Sequence, residues 1–185
     1  MAEEKKKKKR RVLDPNSAAY KLNQIVVNHY KGVQEAKDRG EKIGWCASNF
    51  PQEIFQTMGI KVCYPENQAA AIAARGAGER LCSEAESEGY PNDICAYARI
   101  SLAYTKLKDV KEQNMPQPDF LLCCNNICNC MIKWYESIAK KLNIPLILID
   151  IPFNPDYEVS DAQVAYIKSQ FIDAIKQLEK ITGKK

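Results

Sequence analysis

Four short apolar segments, each followed by a helical pattern, constrain this chain more than any other feature. They lie at residues 42–47, 60–64, 119–124 and 145–150. Each is too short and too uniformly apolar to be an amphipathic surface helix. Such runs read as strands buried on both faces, and buried strands alternating with helices mean a parallel sheet. The crossovers between parallel strands are right-handed, so the expected fold is α/β: a Rossmann-like open parallel sheet of about four strands with helices on both faces.

The intervening segments carry helix punctuation. Asp14-Pro15-Asn16-Ser17 is a start signal, and Leu22, Ile25, Val26 and Val33 then recur at helical spacing before Gly40. Pro51 opens a second helix that Gly59 closes. Residues 66–75 and 79–88 read as helices separated by Gly76-Ala77-Gly78. A further helix begins near Asp93 and carries Cys95 and Arg99, another spans 127–142, and Ser160 caps the last, which runs to Ile181. No Gly-x-Gly-x-x-Gly follows the first strand, which argues against a dinucleotide site.

Charge divides the chain into two parts. Five lysines at 5–9 with Arg10 and Arg11 outweigh Glu3 and Glu4, so the net charge of +4 resides in the first eleven residues. Residues 1–15 are expected to be a basic, disordered tail, because like charges repel and nothing apolar interleaves. Residues 16–185 are expected to form one α/β domain. Its near-neutral surface argues against a nucleic-acid partner. No apolar run approaches the roughly 20 residues a membrane helix needs, and the charged start is unlike a secretory signal. The expected setting is therefore soluble and cytoplasmic.

The eight cysteines sharpen the functional question. A reducing compartment disfavours a disulfide framework and leaves inert buried thiols, redox thiols or metal ligands. Zinc is disfavoured because no two separated Cys-x-x-Cys knuckles occur. Cys123 and Cys124 are neighbours on a strand and point to opposite faces. Cys128 opens a helix, where free amides and the helix dipole favour a thiolate, and Cys95 has the same setting. Cys130 reads as packing. His29 is the only histidine, sits in the first helix, and leaves acid–base work to other groups.

Open parallel sheets bind ligands beyond the carboxyl ends of their strands. Here that edge carries Cys46, Ser48 and Asn49 after the first strand, and Tyr64, Glu66, Asn67 and Gln68 after the second. Cys124, Asn125, Asn126 and Cys128 follow the third, and Asp150 and Asn154 the fourth.

Four ordered motifs carry a family resemblance. They are Gly44-Trp45-x-x-Ser48-x-Phe50-Pro51-x-Glu53, Tyr64-Pro65-Glu66-Asn67-Gln68-Ala69-Ala70, Asp93-Ile94-Cys95-x-Tyr97-Ala98-Arg99 and Cys123-Cys124-Asn125-Asn126-Ile127-Cys128-Asn129. Together they resemble the α-subunit of the 2-hydroxyacyl-CoA dehydratases, relatives of the benzoyl-CoA reductases. The stretches 99–104 and 128–136 look most like the 2-hydroxyglutaryl-CoA enzyme, with the lactoyl-CoA and the aryl- or branched-chain relatives as alternatives.

The resemblance implies an oxygen-sensitive lyase of anaerobic amino-acid fermentation. It implies a 4Fe–4S cluster in each subunit of an αβ heterodimer, with Cys95 and Cys128 as two metal ligands of this subunit. The third cysteine ligand is implied to come from the second half of the family chain, beyond residue 185, so the chain alone is expected to be incomplete. Ser48 is implied to lie beside the iron that carries no cysteine, and Glu66 to be the proton-transfer carboxylate. The implied partners are a β-subunit, an ATP-dependent activator protein and a 2-hydroxyacyl-CoA substrate. One electron, passed to the thioester, is implied to give a ketyl radical from which water leaves, and a later step that returns the electron leaves the 2-enoyl-CoA. The alternative is a truncated, iron-free interaction module without activity of its own.

Overall fold

The computed structural model describes residues 13–155 and 157–185. The basic tail therefore lies outside the described residues, apart from its last three. The element order is α1 (Ala18–Asp38), β1 (Ile43–Cys46), α2 (Gln52–Thr57), β2 (Lys61–Cys63), α3 (Pro65–Ala74) and α4 (Gly78–Ser87). It continues with α5 (Ala96–Leu107), β3 (Phe120–Cys124), α6 (Asn129–Leu142), β4 (Leu146–Ile149) and α7 (Asp161–Thr182).

The four strands form one parallel sheet in the order β2-β1-β3-β4. The α/β expectation and the strand count hold. Trp45 pairs with Cys63 on one side and with Leu121 on the other, and Cys123 pairs with Leu148. The chain runs outward from β1 to β2 and then returns to the other side of β1 as β3. The adjacent β1 and β3 are therefore the topological switch point, where the loops diverge and leave a crevice.

Alternation along the strands divides the core. Trp45, Leu121 and Cys123 point into one apolar cluster with Val33 and Ala36 of α1, Ile72 of α3, Leu81 of α4, Leu102 of α5 and Trp134 of α6. Cys46, Phe120, Leu122, Cys124 and Ile147 point into a second, closed by Phe55 of α2 and by Ala174 and Leu178 of α7. Helices thus cover both faces, which is why the strands read as continuous apolar runs. Each large side chain so buried contributes about 1.5–3 kcal/mol against exposure.

Helix ends differ from the sequence reading in one informative way. Ser17 and Ser160 cap α1 and α7 through their hydroxyls, Ser160 in a full capping box with Gln163. α5 begins at Ala96 rather than near Asp93, and α6 at Asn129 rather than Ile127. The residues in the cap positions are Cys95 and Cys128, and neither side chain makes a capping hydrogen bond. A thiol is a weak acceptor, so cysteine gives no recognisable start signal.

Candidate functional site

The carboxyl edge of β1 and β3 gathers polar groups from four loops. After β1, the Asn49 Nδ2 donates to Asn126 Oδ1 at 2.6 Å, joining the β1 and β3 loops across the switch point. The Cys124 thiol donates to the Asn49 carbonyl at 3.0 Å. Asn49 Oδ1 is buried and takes no hydrogen bond among the described residues.

Glu66 lies in the first turn of α3, placed there by Pro65 at the helix start. Its carboxyl reaches back over β1. The Ser48 amide donates to Oε1 at 3.2 Å, and the Tyr135 hydroxyl donates to Oε2 at 3.2 Å. Burial pushes the Glu66 carboxyl above the usual carboxylate range, and the bonds from its own amide, Ser48 and Tyr135 offset only part of that. Ser48 and Glu66, separated by a helix and a strand in sequence, are therefore in direct contact.

The thiols divide by environment. Cys46, Cys63, Cys123 and Cys124 are buried. Burial pushes Cys63 and Cys123 up to about 12 and Cys124 up to about 11, and raises Cys46 well above the ordinary thiol value. These groups stay protonated and serve as small apolar side chains. Cys95 and Cys128 are the two exposed cysteines. Cys130 packs against the larger core cluster, as the sequence reads, and also lies beside both: the Cys95 backbone hydrogen-bonds its thiol, and the two neighbouring thiols act on it electrostatically.

A cleft of about 540 Å³ opens between the β3 and β4 loops, lined by Asn125, Asn126, Ile127, Cys128, Asp150 and Phe153 among others. Asn125 closes its floor. Its amide donates to Asp150, and its carbonyl oxygen accepts from the Ile151 amide at 2.7 Å. The Tyr166 hydroxyl of α7 donates to Asp150 Oδ2 at 2.8 Å. Cys128 lines this cleft, whereas Ser48, Glu66 and Cys95 do not. His29 lies away from the edge, with Nε2 at 3.0 Å from the Val62 carbonyl, and its pKa is lowered by burial.

A family model described as 2-hydroxyglutaryl-CoA dehydratase, D-component, matches residues 47–185. The chain belongs to this family. It is 59% identical to the (R)-phenyllactyl-CoA dehydratase alpha subunit of Clostridium sporogenes over 91% of its own length and 41% of the relative's. It is 49% identical to the (R)-2-hydroxyisocaproyl-CoA dehydratase alpha subunit of Clostridioides difficile, over 89% of this chain and 40% of that one. It is 40% identical to the alpha subunit of the (R)-2-hydroxyglutaryl-CoA dehydratase of Acidaminococcus fermentans, over 89% of this chain and 50% of the relative. The chain spans half or less of each of these curated relatives.

All four residues singled out from the sequence, Ser48, Glu66, Cys95 and Cys128, fall inside the stretch matched to the dehydratase family. Their chemistry can be set against an iron–sulfur cluster, which takes thiolate ligands. Cys95 and Cys128 fit as part of a ligand set: both are exposed, and both stand at helix cap positions where their side chains make no capping hydrogen bond. They do not make a whole one. Among the described residues no group of three or more His, Cys, Asp or Glu side chains is placed to hold a metal ion.

Tyr135 was missed in the sequence. It stands in the buried stripe Met131, Trp134, Tyr135, Ile138 of α6, which reads as ordinary core. The signal that identifies it is a hydroxyl in a stripe where a phenylalanine would pack as well. No helix among the described residues is long and apolar enough to cross a membrane.

Proposed function

We propose that this chain is the α-subunit portion of an (R)-2-hydroxyacyl-CoA dehydratase, eliminating water to give a 2-enoyl-CoA. The observation that carries the reading is Glu66: a half-buried carboxyl with a raised pKa, in contact with Ser48, on the sheet edge that also bears the two exposed thiols. Groups so perturbed at a strand-end crevice are the ones suited to proton transfer near neutral pH.

Cys95 and Cys128 would hold two irons of a 4Fe–4S cluster, with the third thiolate supplied from the remainder of a family-length chain. When bound, and reduced by an ATP-dependent activator, the cluster would lend one electron to the thioester carbonyl and recover it once water has left. The protein's own groups do the rest. Ser48 stands beside the substrate-side position, and its amide keeps Glu66 Oε1 turned toward the β1 loop. Glu66 takes the proton from the β-carbon while the α-hydroxyl departs, so the elements of water leave from adjacent carbons. Burial serves this step, because a carboxyl with a raised pKa is a stronger base than an exposed one. The higher identity to the phenyllactyl relative than to the 2-hydroxyglutaryl one, 59% against 40%, supports an acyl group of the former kind.

The reading implies a β-subunit partner and an anaerobic cytoplasmic setting. The competing reading, an iron-free interaction module, is favoured by the absence of a three-ligand group among the described residues. The test replaces the matching segment of the phenyllactyl-CoA relative with residues 17–185 and assays the chimera anaerobically with its partner, activator and ATP. The dehydratase reading expects enoyl-CoA from the chimera, a large loss with Glu66→Gln, and none from the 185-residue chain alone. An inactive but folded chimera favours the interaction module.

A further inference from the structure

The Tyr135 side chain is fully buried, and its ring packs against Trp134 with centroids 5.4 Å apart. A phenylalanine would supply the same apolar area. A buried hydroxyl costs free energy unless it is hydrogen-bonded, so its partner is what the hydroxyl is there for. That partner is Glu66 Oε2.

We propose that Tyr135 is the positioning residue for Glu66: its hydroxyl locks the carboxyl plane and ties it to the helix that starts at Cys128. This deepens the dehydratase reading and rests on Glu66 being its proton-transfer group. The two carboxyl oxygens are held by different elements, Oε1 by the β1 loop and Oε2 by α6. With both oxygens engaged, rotation about the last side-chain bond breaks two hydrogen bonds at once. The other groups acting on the carboxyl are its own backbone amide, the Ser48 hydroxyl, the thiols of Cys46 on β1 and Cys123 on β3, and the Tyr64 hydroxyl, the last three kept protonated by burial. No ion pair reaches Glu66 among the described residues, so no cation competes with the tyrosine for its orientation.

The placement on α6 has a second effect. Tyr135 is seven residues beyond Cys128, about 10 Å along a helix axis. The stretch between them is continuous helix, anchored by Met131, Trp134 and Ile138 in the core. α6 thereby joins the Cys128 end to the position that holds the carboxyl.

Two readouts test this. In the 185-residue chain with glutamate labelled at the carboxyl carbon, the Glu66 resonance is assigned by its loss in Glu66→Gln. Tyr135→Phe is expected to move that resonance and to raise its titration midpoint. Tyr104→Phe removes a buried hydroxyl on the same sheet face that donates to the Met115 carbonyl instead, and is expected to leave Glu66 unmoved. An unmoved Glu66 resonance in Tyr135→Phe, or an equal movement in Tyr104→Phe, overturns the proposal. If Tyr135→Phe does not fold, the ring carbon bearing the Tyr135 hydroxyl, labelled in otherwise native protein, must shift in Glu66→Gln, and its constancy overturns the proposal as well.

The second readout is kinetic, in the chimeric dehydratase. Tyr135→Phe is expected to lower kcat about tenfold, the worth of one hydrogen bond to a charged group, with KM unchanged. A rise in KM at constant kcat contradicts positioning. The resonance measurement needs no turnover, so an inactive chimera would sink the dehydratase reading while leaving the Tyr135–Glu66 lock decided on its own.

Discussion

Gly44 on β1 faces the Phe120 ring of its register partner on β3 so closely that a methyl group at Gly44 would sit 2.5 Å from the ring edge. The absent side chain lets Phe120 lie flat over the centre of the sheet, where it reaches 0% exposure. Gly44→Ala is therefore expected to destabilise the fold by about 1–3 kcal/mol through overpacking. Gly44→Ala combined with Phe120→Leu should recover part of that loss. Equilibrium denaturation of the two variants checks it, and additive losses in the double variant would show that the two residues do not share the space.

Asp119 ties the opposite edge of the same strands. Its carboxylate accepts from Lys37 at 2.8 Å, from Lys42 at 3.3 Å and from the Ile43 amide at 2.9 Å. Burial alone would raise this carboxyl, but Lys37 and the Ile43 amide outweigh it and hold it below the usual range. The stability it contributes is present above the unfolded carboxylate pKa and is lost as pH falls through the lower, folded value. Asp119→Asn is expected to cost about 1.5–3 kcal/mol at neutral pH and progressively less in acid. Denaturation series at several pH values read this directly.

Glu66 has the opposite sign. Its folded pKa is raised, so the native state holds the proton more tightly than the unfolded chain. Stability therefore falls as pH rises from the unfolded value, about 4.3, through the folded one. Glu66→Gln keeps an oxygen for the Ser48 amide and an amide for the Tyr135 oxygen while removing the half-buried charge. It is expected to be more stable than the native chain at neutral pH, with the difference vanishing in acid. A variant less stable than the native chain at every pH would mean that the carboxylate is compensated by a partner that these contacts do not include.

Much of this architecture is legible in the sequence because the sheet is buried on both faces. Runs such as Phe120 to Cys124 then carry no polar interruption, and the capping serines and the glycines mark the helix ends. The candidate site is legible only in part. Ser48, Glu66 and Cys128 lie among the polar groups at the ends of apolar runs and Cys95 at a helix start, but only the family resemblance singles these four out from their neighbours. Tyr135 does not, because its meaning lies in a partner 69 residues away and its local pattern is that of core. The starts of α5 and α6 were placed two to three residues early, because a cysteine cap leaves no signature. Cys130 reads as packing because nothing local shows that Cys95 comes to its side.

Thiol chemistry should separate the cysteines by place. At neutral pH, brief alkylation of the native chain is expected to label Cys95 and Cys128 first, as the two exposed thiols. Cys46, Cys63, Cys123 and Cys124 should react only after unfolding, since they are buried and protonated. Peptide mass spectrometry reads each site, and early labelling of Cys63 would contradict the packing described for β2.

The most direct test of the central claim, that Cys95 and Cys128 are the thiolates through which this chain engages an iron–sulfur cluster, is iron bound per subunit after anaerobic reconstitution of the chimeric dehydratase. Cys95→Ala and Cys128→Ala are each expected to lose most of the bound iron and its visible absorbance, while Cys63→Ala, which removes a buried thiol of β2, retains both. Full iron loading in either of the first two variants, or equal loss in all three, would contradict the account.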